Sequence, residues 1–322
     1  MSAPFLTAAA ALATNASAAP PNPVEMVDAL NGTFGRHAGA RASHAKGQCV
    51  VGQFEPSAEL RRLSRSPLFD HPVLEAVGRL SVGGGNPGVS DKSRTVRGLA
   101  LRIGDGTRTY DLVMVSEPVF FAATPESFVS FLQARVPDPA TRKPDPEKIA
   151  AHNARYPEGK NQPALLAAHA APASYASTPY FSNNAFKFVD RAGRGTWARL
   201  VMEPAAGTQY LDAAAEASLP DNFLIPELTQ RLASAAVEFT LVAQQPGPQD
   251  SLVDSSRQWS GDGQAPLPLG RLRITGLGDA ARCDGVTFVP TLLPEGIEPS
   301  DDPILKARAA AYAVSFARRQ AK

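Results

Sequence analysis

Arg41-Ala42-Ser43-His44-Ala45-Lys46-Gly47-Gln48-Cys49-Val50-Val51-Gly52-Gln53-Phe54 is the stretch on which the reading of this chain turns. A polar, basic head ends at a glycine, and from Gly47 the pattern changes to that of a strand. The segment thus predicts a loop that delivers a histidine to the start of a β-strand. Runs of the same kind stand at Val77–Val82, Val96–Ile103 and Thr109–Val115, each bounded by Gly, Asp or Pro. Gly104-Asp105-Gly106, between the last two, is a hairpin signal. Strands resume at Ala185–Asp190, Trp197–Glu203, Val237–Gln244 and Leu269–Thr275. Eight strands in two sets of four, mostly joined as hairpins, predict a closed antiparallel barrel, an arrangement that leaves no sheet edge exposed.

Helices surround this pattern. Val24–Phe34 carries Met26, Val27 and Leu30 at helical spacing. Pro125–Arg135, Glu147–Arg155 and Ala164–Ala171 form a helical insertion interrupted by the proline-rich Pro137–Pro146, and another helix is expected at Leu224–Ala236. The last helix is the best signalled: Asp302 can cap it, Pro303 suits its first position, and it runs to about Arg319. Arg308, Tyr312, Ser315 and Arg319 follow one another at spacings of four, three and four, so they share a face. Taken alone, that stripe reads as a solvated basic surface. The expected fold class is α+β, with one domain over 24–322 behind an Ala/Pro-rich leader, 1–23.

Composition narrows the function classes. The 322 residues are 43% hydrophobic and 20% charged, the signature of a globular chain. With 32 basic and 31 acidic residues the net charge is +1, which gives no field for nucleic acid or anionic lipid. The 29 prolines and 25 glycines point to many turns. No apolar run reaches the ~20 residues that span a bilayer. Phe5–Ala13 followed by Ala16-Ser17-Ala18 resembles an export signal, but no Lys or Arg precedes Arg36. A flexible tail is therefore the preferred reading, with cytoplasm and periplasm both open. Cys49 and Cys283 read best as two small buried hydrophobes, a disulfide between them being the alternative.

Gly83-Gly84-Gly85-Asn86-Pro87-Gly88 satisfies G-x-G-x-x-G in form, but Pro87 sits inside it and a strand follows, so a loop is expected. His37, His71, His152 and His169 lack ligand-like spacing. His44 by itself would be a structural histidine.

Its surroundings change that. The run R-x-x-H-A-K-G at Arg41–Gly47 resembles the distal-histidine motif of the catalase superfamily, and R-x-x-x-Y at Arg308–Tyr312 resembles its proximal-tyrosine helix. Between them Arg79-Leu80-Ser81, Arg97-Gly98-Leu99-Ala100, Pro118-Val119-Phe120-Phe121 and Asn184-Ala185-Phe186-Lys187-Phe188 look like the corresponding catalase segments, in order. The ending from Pro299 to Leu305 is similar to the small branch called catalase-related peroxidases. The resemblance covers roughly residues 25–319.

It implies haem b, iron protoporphyrin IX, inside the barrel, with Tyr312 as proximal iron ligand and Arg308 favouring its phenolate. It implies His44 as the group that shifts the peroxide proton, a role worth ~10²–10⁴-fold, with an oxo-ferryl intermediate following O–O cleavage. Arg41, Arg79 and Arg319 resemble the residues that pair with haem propionates, Phe128 the phenylalanine against the haem, and Ser81 a distal-pocket serine. In the same gapless stretch Val115 takes the place of the distal asparagine. Losing that hydrogen bond costs about 1–3 kcal/mol, roughly ten- to a hundredfold in rate.

The expectation is a haem peroxidase acting on organic hydroperoxides, and on hydrogen peroxide, with small organic reductants and weak catalase activity. A true catalase, a hydroperoxide isomerase of the allene oxide synthase type, a haem carrier and a lipocalin-like barrel are the alternatives. The chain stops just past the last helix, so neither bound NADPH nor an interlocked tetramer is expected; a monomer or small homo-oligomer is.

Overall fold

Alternation along the strands decides which residues can form a site. The computed structural model describes residues 19–262 and 264–321, so the signal-like Phe5–Ala18 stretch lies outside the described residues. Ten strands are present among them: β1 (Gly47–Pro56), β2 (Leu74–Val82), β3 (Arg97–Gly104), β4 (Thr109–Val115), β5 (Tyr180–Phe181), β6 (Phe186–Val189), β7 (Gly195–Pro204), β8 (Val237–Gln244), β9 (Leu267–Leu277) and β10 (Ile297–Pro299). Eight of them close an antiparallel ring, β7-β5-β4-β3-β2-β1-β9-β8 and back to β7.

One member of that ring differs from expectation. Ala185–Asp190 was expected as a barrel strand, yet β6 pairs with the first half of β7 and with β10. The ring is completed instead by the two-residue β5, through Tyr180↔Met202 and Phe181↔Val201. Ser182 N still donates to Leu200 O (2.9 Å), after which Asn183 takes a left-handed φ of 57°. β5 and β6 are thus two halves of one strand broken at Ser182–Ala185, and the Ser-Asn-Asn sequence there disguises the first half as a loop.

Nine helices among the described residues flank the barrel: α1 (Pro23–Phe34), α2 (Ala58–Leu63), α3 (Pro125–Gln133), α4 (Pro146–Arg155), α5 (Asn161–Ala167), α6 (Ala213–Ser218), α7 (Leu224–Ser234), α8 (Ala280–Asp284) and α9 (Pro303–Gln320). Asn22 and Glu25 form a capping box on α1. Asp302 Oδ1 caps α9 by accepting from Ile304 N (2.8 Å) and Leu305 N (3.3 Å). α1 packs against α3 and α9, with Met26, Ala29, Phe128, Leu132 and Ile304 in their shared cluster. No described helix is long and apolar enough to cross a membrane.

Leu99, Leu101 and Ile103 of β3, with Tyr110, Leu112 and Met114 of β4, turn one way and pack with Leu80, Leu200, Met202, Phe239 and Leu241; all are at most 3% exposed. The barrel interior is therefore full of side chains. Their alternate neighbours, Gly98, Ala100, Val113 and Val115, face outward. This corrects the expectation of a haem inside the barrel: the candidate residues occupy the outer face of the wall, because the period of two gives the inner face to the core.

The cysteine reading is corrected too. Cys49 and Cys283, 234 residues apart, are joined by a disulfide. α8 lies against β1 and β2 and brings Cys283 over the outer face beside Cys49.

Candidate active site

A single row across the wall organises the side of the site that carries His44. Gly47 lies opposite Ser81, Ser81 opposite Gly98, Gly98 opposite Val115, and Val115 opposite Phe181. With strands about 5 Å apart, Ser81 and Val115 flank Gly98 on the same face. His44 sits over that glycine. A Cβ built on Gly98 would come within 2.6 Å of both His44 Nδ1 and Ser81 Oγ, so only glycine leaves room for the pair.

His44 is held by its backbone as much as by its ring. Its φ is +55°, a left-handed conformation that an L-residue keeps only under constraint. Arg79 supplies the constraint, donating Nη1 to His44 O (2.7 Å) and Nη2 to Ala45 O (2.8 Å). The ring Nδ1 stands 3.0 Å from Ser81 Oγ, and Ser81 Oγ donates to Gly98 O (3.4 Å). Donation of His44 Nδ1–H to Ser81 Oγ is the tautomer that leaves Nε2 as the acceptor. Burial, then the charges of Arg79, Arg308 and Arg41, lower the His44 pKa from 6.5 to about 4. The ring is neutral at pH 7 and able to take a proton.

The last helix supplies the other side. Arg308 donates Nε (3.0 Å) and Nη2 (2.7 Å) to Tyr312 Oη, and Nη1 to Asn184 Oδ1 (2.9 Å). Asn184 Nδ2 in turn donates to Asp302 Oδ2 (2.8 Å). The helix cap thus reaches, through Asn184, to the arginine that grips the tyrosine oxygen. Asn184 was not anticipated as a site residue; its partners are 118 and 124 positions away, beyond any local pattern. Ser315 Oγ accepts from Ala42 N (3.2 Å), tying α9 to the loop that carries His44.

Three guanidiniums gather at this junction. Arg41 Nη2 donates to Cys283 O (2.9 Å) and Val286 O (3.3 Å), while Arg319 Nη2 donates to Asp284 O (3.0 Å) and Val286 O (3.3 Å). Burial lowers the pKa of Arg79 and of Arg319 to about 10 each, with the charge of Arg41 adding to both. The carboxylate that meets this group is the exposed Asp284, 3.5 Å from Arg41. Arg319 Nε is buried without a partner among the described residues. Phe128 lies on α3, in a cluster with Phe120 and Phe121 at ring separations of 6.2 and 5.3 Å.

The other histidines have their own partners, and of them His37 lines one pocket with Arg41, Ala42 and Ser315. His37 contacts Phe34 O, His71 pairs with Asp105, His152 with Ser130 and His169 with Glu117. No group of three or more His, Cys, Asp or Glu side chains placed to hold a metal occurs among the described residues. Gly83–Gly88 is a loop, as expected.

The catalase family model matches residues 26–321. The chain belongs to the catalase family. It is 37% identical to a catalase-related peroxidase of Synechococcus elongatus over 92% of this chain and 88% of that one. A catalase-related peroxidase of Mycolicibacterium paratuberculosis is 35% identical over 92% of this chain and 94% of its own. Among solved structures, catalase A from Saccharomyces cerevisiae superposes with a TM-score of 0.79 at 21% identity; 88% of this chain spans 62% of that one.

Members of the catalase family are haem-dependent oxidoreductases acting on peroxide. The residues present fit that group. Desolvated guanidiniums with an unpartnered Nε suit carboxylates, and the Tyr312 oxygen, fixed by two N–H bonds from one arginine, suits an oxygen-ligated group. Gly98 lets the His44 ring lie directly against the barrel wall.

Proposed function

We propose that this chain is a haem b peroxidase that reduces organic hydroperoxides, and hydrogen peroxide, at the expense of small organic reductants, with weak catalase activity. Tyr312 would ligate the iron, Arg41, Arg79 and Arg319 would meet the propionates, and Phe128 would lie against the ring. The bound haem supplies the redox chemistry of O–O cleavage and reductant oxidation. The protein's own residues supply proton transfer, charge and shape.

His44 Nε2 takes the proton from one peroxide oxygen and returns it to the departing one. Ser81 keeps the ring in the tautomer this needs, and Arg79 keeps its backbone in place. Arg308 fixes the position of the Tyr312 oxygen through two N–H bonds and sets a positive charge beside it.

The observation that carries the peroxidase reading is Val115 in the row beside Gly98 and Ser81. Its methyl groups accept an alkyl substituent and cannot hydrogen-bond a second hydrogen peroxide, so disproportionation is disfavoured. The test compares oxygen evolution from hydrogen peroxide with dye oxidation driven by cumene hydroperoxide. Dye oxidation is expected to dominate. Oxygen evolution exceeding it would make the protein a true catalase, and conversion of the hydroperoxide without consuming any reductant would make it an isomerase.

A further inference from the structure

Two of the arginines assigned above to haem carboxylates are oriented by one short piece of backbone. The carbonyls of Cys283, Asp284 and Val286 receive both Arg41 from the start of the chain and Arg319 from its end. The bonds to Val286 O are 3.3 Å each, near the limit of a useful hydrogen bond, so a small displacement of this turn breaks them.

The turn is fastened to the barrel wall at both ends. On the far side Val289 N donates to Asp111 Oδ2 (2.8 Å), and Arg102 grips Asp111 through two bonds of 2.7 Å. On the near side the covalent tie is the Cys49–Cys283 disulfide. Cys49 lies opposite Arg79 in the β1–β2 register, next to the row that holds Ser81 and Gly98. Val77, Ala100, Val113, Val286 and Phe288 pack around the two sulfurs in a cluster separate from the barrel core.

We propose that the Cys49–Cys283 disulfide is a positioning device for the haem edge: it seats the Cys283–Val286 carbonyls so that Arg41 and Arg319 present their remaining N–H groups to the haem carboxylates. This rests on the reading of those two arginines as propionate partners. A staple serving global stability alone could lie anywhere on the wall. This one joins the wall to the turn that both arginines share.

The test follows haem release from the purified holoprotein to excess apomyoglobin, before and after reduction of the disulfide with a phosphine. Reduction should accelerate release about tenfold, the effect of weakening a hydrogen bond to a charged group. In the Arg41→Gln/Arg319→Gln protein, reduction should add nothing further. Cys49→Ala/Cys283→Ala should match the reduced wild type; if that variant does not fold, the reduced wild type supplies the same reading. Unchanged release with both thiols free, or equal acceleration in the arginine variant, would overturn the proposal, as would a lower melting temperature without faster release. A protein that takes up no haem before any reduction would overturn the functional assignment itself.

Discussion

The wall formed by β2, β3 and β4 has two faces that differ in almost everything except sequence position. Leu80, Leu99 and Met114 point inward and are sealed in the core; Ser81, Gly98 and Val115, each a single residue away, form the outward row under His44. The inner face is apolar apart from tyrosine hydroxyls and carries stability. The outer face includes a glycine where any side chain would strike His44 and Ser81, and a histidine held at positive φ. Chemistry is placed on a rigid wall whose rigidity comes from the other side.

Substitutions on the two faces should therefore separate. His44→Gln is expected to lower peroxide turnover by about 10²–10⁴-fold while leaving the melting temperature nearly unchanged, as steady-state assays and calorimetry would show. Leu99→Ala should do the reverse, costing about 2–5 kcal/mol of stability with turnover per folded molecule preserved; a matching loss of turnover would mean the wall is not rigid enough to decouple its faces. Gly98→Ala pushes directly on His44 and Ser81, and overpacking of this kind costs about 1–3 kcal/mol, here expressed as a tenfold or greater fall in turnover at modest loss of stability. Val115→Asn adds a hydrogen-bonding group to the outer row and should raise oxygen evolution from hydrogen peroxide about tenfold.

A separate effect is one of pH. The folded His44 titrates near 4, against an ordinary 6.5. Between those values the unfolded chain binds a proton that the folded chain does not, so stability falls as pH drops through the window. Chemical denaturation from pH 7 to 4 should show that slope, and His44→Gln should flatten it. Turnover that fell off around pH 6.5 would place the imidazole in water rather than in the site.

Much of this was legible because strands and helices announce themselves locally. Seven of the eight expected strands match barrel strands, since their apolar residues and turn signals lie within ten residues of each other. The stripe of Arg308, Tyr312, Ser315 and Arg319 follows from helical spacing behind Asp302 and Pro303, and its members do contact Asn184, Ala42 and the Asp284 and Val286 carbonyls. β5 escaped notice because two residues carry no periodicity. Asn184 escaped because its partners lie more than a hundred positions away, and the disulfide stayed undecided because its cysteines are 234 positions apart; the Cys283–Val286 carbonyls escaped because backbone acceptors carry no residue-type signal.

The amino-acid order by itself determined most of the elements, which are matters of spacing and residue type; the pairing of a histidine loop with a tyrosine helix, and the valine where a polar side chain was expected, came from the resemblance to catalases. Only the tertiary structure decided that the site lies on the outer face of the barrel and that Asp302 reaches Arg308 through Asn184. It also decided that one disulfide-tied turn orients two arginines. Such features arise when closure of the sheet fills its interior with side chains and leaves the opposite face to receive the two ends of the chain.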